Sequence, residues 1–108
     1  MQRIVICSTC DGVDGKSFAA ALGAGLAARG LAFAVCTHPC LSACARPLAM
    51  AFAAPGKATY LFAGIDPGRD LADTLAFAAM YQRAADGWIE DARGAGRLRH
   101  CLIGRVPA

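Results

Sequence analysis

The apolar positions of this chain fall into short runs and helical stripes separated by turn-forming residues. Arg3-Ile4-Val5-Ile6 is a short apolar run that meets Cys7 at once, the pattern of a buried strand. Cys7 to Lys16 contains Asp11-Gly12 and Asp14-Gly15 and reads as a loop. Ser17 is placed to cap a helix on which Phe18, Leu22 and Leu26 recur four apart on one face, and Gly30 sits where a helix of that length ends. Leu31 to Cys36 is a second apolar run. Strand, helix and strand make a βαβ unit, which favours parallel pairing and a right-handed crossover.

Thr37 to Pro47 reads as a second loop, rich in cysteine and proline. Leu48 to Ala54 and Thr59 to Ala63 flank Pro55-Gly56-Lys57, a turn signal between apolar runs, and predict an antiparallel hairpin. Asp66 and Pro67 occupy the favoured first positions of a second helix. Its stripe is Leu71, Leu75 and Ala78, with Phe77 and Tyr81 on an adjoining row and Gly87 at its end. From Glu90 onward Arg93, Arg97, Arg99 and Arg105 are set among Leu98, Leu102, Ile103 and Val106, and no element is assigned. The order β-α-β, then ββ-α, predicts a thioredoxin-like α/β fold with a mixed four-stranded sheet, in one domain over residues 1–108.

Composition narrows the function classes. Hydrophobic residues are 56% of the 108 and charged residues 18%, which argues for a folded chain rather than a disordered one. A net charge of +3, with no aromatic platform among the basic residues, is too mild to argue for nucleic acid. No apolar stretch approaches the roughly 20 residues that span a bilayer. The amino terminus reads as a strand and not as a signal peptide. The expectation is a cytoplasmic protein with no membrane association. In a reducing compartment the six cysteines then point to metal binding or redox work rather than to structural disulfides.

Cys7 and Cys10 form C-x2-C directly after the first strand, and Cys40 and Cys44 form C-x3-C before the hairpin. In a thioredoxin-like topology the first and third strands are neighbours, so both loops are expected at one end of the sheet. Four thiolates converging there are the ligand set of a [2Fe–2S] cluster or of tetrahedral zinc. Short spacing lets the backbone curl so that both sulfurs and several N–H groups face one metal, and those donors tune its potential. Gly12 and Gly15 allow close backbone approach beside the first pair. Three other readings compete: buried apolar thiols, structural zinc, and a dithiol redox pair at Cys7 and Cys10. The last suffers because Asp11, Gly12 and Asp14 separate the pair from the helix.

Cys36 ends an apolar run and reads first as a buried thiol, although with Cys40 it makes another C-x3-C. Cys101 reads as packed. His38 and His100 are weak ligand candidates. Pro47 stands where thioredoxin-like folds often carry a cis-proline, although most X-Pro bonds are trans.

Three stretches are familiar: Val5-Ile6-Cys7-Ser8-Thr9-Cys10, Cys40-Leu41-Ser42-Ala43-Cys44-Ala45-Arg46-Pro47, and Pro55-Gly56-Lys57-Ala58-Thr59-Tyr60-Leu61-Phe62. They resemble a bacterial family of small predicted metal-binding proteins of unassigned function, related to the thioredoxin-like [2Fe–2S] ferredoxins. The likeness runs on through Asp70-Leu71 to Arg105-Val106-Pro107, and Cys-Leu-x-x-Cys before a strand is its most specific part. The resemblance implies a thioredoxin-like fold, a [2Fe–2S] cluster, single-electron transfer and a place near cobalamin biosynthesis. Related folds often form homodimers. Two departures stand out. Thioredoxin-like ferredoxins often space their first ligand pair more widely, which makes Cys36 the substitute ligand to consider. Ferredoxins also tend to be acidic and this chain is basic, which implies an acidic face on its redox partner protein. The expectation is therefore an electron carrier and not an enzyme, with Cys7, Cys10, Cys40 and Cys44 as ligands and Arg46, Arg93, Arg97, Arg99 and Arg105 as docking candidates. The alternative is a structural zinc or metal-handling protein without redox function.

Overall fold

The computed structural model describes residues 1–8, 14–39 and 48–108. Strand β1 (Gln2–Cys7) leads to helix α1 (Gly15–Ala28) and strand β2 (Phe33–His38). Strands β3 (Met50–Ala53) and β4 (Thr59–Phe62) form the hairpin, and helix α2 (Leu71–Arg83) follows. A 3-10 segment (Arg93–His100), kinked at Gly96, and strand β5 (Leu102–Val106) complete the chain. The sheet order is β2-β1-β3-β4-β5, with β1 parallel to β2 and every other neighbouring pair antiparallel. The first four strands have the thioredoxin-like arrangement, and β5 extends it to five strands.

Period-2 alternation decides which side of the sheet is filled. Ile4 and Ile6 of β1 register against Val35 on one side and against Phe52 and Met50 on the other. Phe52 and Met50 in turn face Tyr60 and Phe62. These residues pack with Phe18, Leu22 and Leu26 of α1 and with Leu75, Phe77, Ala78 and Tyr81 of α2 in one core. Both helices therefore cover a single face. Phe52 is the hub of that core, with ring centroids of Phe33, Phe77 and Tyr81 at 5.8, 5.0 and 5.6 Å. Edge-to-face arrangements of this kind add to the gain from area burial alone.

The structure moves several expected boundaries, each for a local reason. Asp14, and not Ser17, caps α1: its carboxylate accepts the Ser17 N–H at 2.9 Å and the Ser17 hydroxyl at 2.7 Å. The carboxylate three residues earlier thus satisfies an orphan donor of the first turn. Gly30 ends α1 as expected, at φ 66°. Its N–H donates to Ala27 and that of Leu31 to Leu26, the paired bonds of a Schellman turn. The second strand begins at Phe33, because that turn consumes Leu31.

Helix α2 begins at Leu71 rather than at Asp66-Pro67. The carboxylate of Asp66 folds onto the Gly68 N–H at 2.9 Å and makes a turn of its own ahead of the helix. The helix stops at Arg83, four residues before Gly87, which instead turns the chain back onto Lys57 and Ala58. The sheet has five strands and not four because the tail supplies β5. That strand is an edge with only Leu102 half-buried, and a β-bulge lies between Leu61 and Phe62 on the strand it pairs with. Neither feature leaves a clear alternation to read.

Candidate functional site

The end of the sheet at which β1 stops is built from four tied segments. The Cys7 N–H donates to Ala49 at 3.0 Å, and the Ser8 N–H donates to His38 at 2.9 Å. Leu48 and Ile65 exchange both backbone bonds, at 3.3 and 3.1 Å. Because β1 runs parallel to β2 and antiparallel to β3, the exit of β2 and the entrance of β3 both flank Cys7. Helix α1 begins at the same place. Gly15 packs so tightly on the Cys7 carbonyl that a Cβ there would lie 2.0 Å from the oxygen. Only glycine admits that approach.

Cys7 is fully buried, and its Sγ lies 3.7 Å from the carbonyl oxygen of Pro39, the residue that precedes Cys40 in the chain. Cys10, Cys40 and Cys44 lie outside the described residues, as do Arg46 and Pro47. What the structure places is the stems of both cysteine loops: Ser8 and Asp14 bound one, Pro39 and Leu48 the other, and all four belong to this end of the molecule. Among the described residues no three His, Cys, Asp or Glu side chains gather as a metal site.

Cys36 departs from its expected burial. It sits on β2, an edge strand, opposite Val5, and is exposed, with Sγ 3.8 Å from the Ile4 carbonyl oxygen. An edge strand lacks a neighbour on one side, and among the described residues no helix covers the sheet face that carries Cys36. Cys36 is one strand over and two residues back from Cys7, about 8 Å by strand geometry. His38 pairs in register with Cys7 and is exposed. Cys101 is buried, with Sγ 3.8 Å from the Arg97 and 3.9 Å from the Gly64 carbonyl oxygens.

The arginines divide by role. Arg97 is an internal strut: its Nε donates to Asp70 at 2.9 Å, its terminal nitrogen to Gly64 at 3.0 Å, and the pair makes a further short contact. Asp70 is fully buried. Burial pushes its carboxyl up, but hydrogen bonds from Arg97 and from the Asp66 N–H outweigh that and hold it below the usual carboxylate range. The same contacts raise Arg97 above its ordinary value. Arg93 is exposed and forks onto Asp91 at 2.9 and 2.7 Å, which lowers that carboxyl to about 2. Arg105 lies over Trp88, 3.8 Å from the ring centroid, and donates to the Ile89 carbonyl at 3.2 Å. Arg99 is exposed and donates to Nε2 of His100 at 3.2 Å. Neither the Asp70–Arg97 pair nor the Arg105–Trp88 stack was expected from sequence, since each joins residues far apart in the chain.

No helix among the described residues is long and apolar enough to cross a membrane. No curated protein and no solved structure matches the chain. A family model described as a protein of unknown function, DUF1636, matches residues 4–108, and with nearly its whole length inside that match the chain belongs to this family.

Proposed function

We propose that the protein is a cytoplasmic single-electron carrier that holds a [2Fe–2S] cluster on Cys7, Cys10, Cys40 and Cys44 and passes electrons to a redox partner protein. One observation supports the reading above the rest: Cys7 is bonded to both flanks of the stretch that carries Cys40 and Cys44, through Pro39 and through Ala49. The donor set also suits the group, since four soft thiolates select iron–sulfur clusters or zinc over hard cations. When bound, the cluster would supply reversible one-electron chemistry. On this reading the chain's own part is to present the four sulfurs to one cluster and to offer backbone N–H groups nearby.

Anaerobic reconstitution with ferrous iron and sulfide tests the reading. The expected product is red-brown, absorbs in the visible and bleaches with dithionite. Cys40→Ser or Cys44→Ser should abolish loading, and Cys101→Ser should leave it intact. Exposed Cys36 is the position to compare with Cys10, because loss of loading in Cys36→Ser but not in Cys10→Ser would reassign the fourth ligand. A colourless protein with stoichiometric zinc after the same treatment would overturn electron transfer in favour of metal handling.

A further inference from the structure

The geometry points to a second site, independent of the cysteines: a small-molecule pocket at the β4–β5 side of the molecule that takes a compact apolar or aromatic monocarboxylate. The cavity is about 220 Å³. Its floor is made by Tyr60, Phe62 and Phe77, each no more than 2% exposed, and Leu102 and Ile89 form its walls. A cavity of about 150 Å³ with an aliphatic and aromatic lining is enough to hold benzene. This one has room for a ring and one polar substituent.

The polar groups at the cavity state which substituent. Arg99 and Arg105 stand at its edge with Glu90, two cations against one carboxylate. The nearby Asp91 is committed to Arg93. Arg105 is held in place by Trp88 and by the Ile89 carbonyl, and among the described residues these contacts leave donors of its guanidinium unused. Among the described residues Arg99 spends only Nε, on His100. A planar carboxylate matches these forks better than a neutral amide does. Among the lining residues, the Tyr60 hydroxyl accepts the Ile89 N–H at 2.8 Å, and its own proton has no acceptor among the described residues. That buried donor, 2% exposed, is available to a ligand oxygen. The net excess of one positive charge selects a monoanion, and the aromatic floor selects a ring or branched alkyl body over a sugar or a phosphate ester.

Titration of the isotope-labelled protein with benzoate, read by amide NMR, tests the site, with neutral benzamide as control. Benzoate should give saturable shifts centred on Tyr60, Phe77, Leu102 and Arg99, and benzamide should bind about tenfold more weakly for want of the charge-assisted bonds. Arg99→Ala removes an exposed side chain, so the fold should persist while the preference for benzoate over benzamide collapses. Ala92→Leu, which fills the cavity, should abolish binding of both. Shifts that fail to saturate or scatter over the surface would overturn the site. So would an Arg99→Ala variant that keeps the full preference for benzoate.

Discussion

Two residues show how much a single side chain controls here. At Gly15 the start of α1 rests on the Cys7 carbonyl, so Gly15→Ala must push strand end and helix apart. We expect a loss of about 1–3 kcal/mol in chemical denaturation, the range for overpacking a tight contact. Asp70 is the second. Its folded-state carboxyl is depressed, so the stability it contributes is complete above the ordinary unfolded value of about 4 and drains away as the pH falls through the lowered native value. Acid titration of stability should therefore show a falling limb below about pH 4 that is flatter in Asp70→Asn. Arg97→Ala, which strands a buried carboxylate, should cost about 3 kcal/mol at neutral pH, the low end for a broken buried pair because Arg97 is partly exposed. Tyr81 shifts the opposite way. Burial first, and then the nearby Tyr60, push it up to about 12, while its hydroxyl donates to Ala58. Its stabilising share is present below the ordinary value of about 10 and is lost as the pH rises through about 12. Ultraviolet tyrosinate titration should show one tyrosine ionising late.

At the scale of elements, the two faces of β3 should answer mutation differently. Phe52→Ala empties the centre of the aromatic cluster and should cost about 3–5 kcal/mol in denaturant unfolding. Its neighbour Ala53 points to the opposite face, across from Arg3, and Ala53→Glu should stay within about 0.5 kcal/mol of the parent protein. These elements were legible in the sequence where period and punctuation agreed. The stripe of α1, the Gly30 stop and the Pro-Gly-Lys turn of the hairpin all lay at or near their expected positions. Legibility failed where a side chain competes for the backbone. Asp14 took the cap from Ser17, and Asp66 made a turn where a helix start was expected. It failed again at β5, whose existence depends on a tertiary partner, the free edge of β4. The sequence also gave no sign of the Asp70–Arg97 strut, which joins α2 to the 3-10 segment. For the candidate cysteine site, the sequence offers Cys7, Cys10, Cys40 and Cys44, and the described residues place Cys7 and the stems of the two loops.

For the molecule as a whole, one core joins both helices to the sheet, and the strap from Ala84 to Ala92 is pinned to it by Ile89 and by the Ala58 N–H bond to Asp86. Unfolding followed by the fluorescence of the single tryptophan, Trp88, should coincide with loss of helical circular dichroism. Non-superimposable curves would show that the strap detaches first. The anchoring of Ser8, Asp14, Pro39 and Leu48 carries one more consequence. The posts of the rim are set by protein hydrogen bonds and by the packing of Gly15 on Cys7, so on the proposed reading the rim should form ahead of its metal, unlike a zinc finger, where ion and fold arrive together. For the proposed carrier, assembly should then be sequential, with the polypeptide folding first and loading its cluster afterwards. Chelation should bleach a loaded sample while leaving its far-ultraviolet spectrum untouched, and the emptied protein should accept a fresh cofactor without passing through a denatured state.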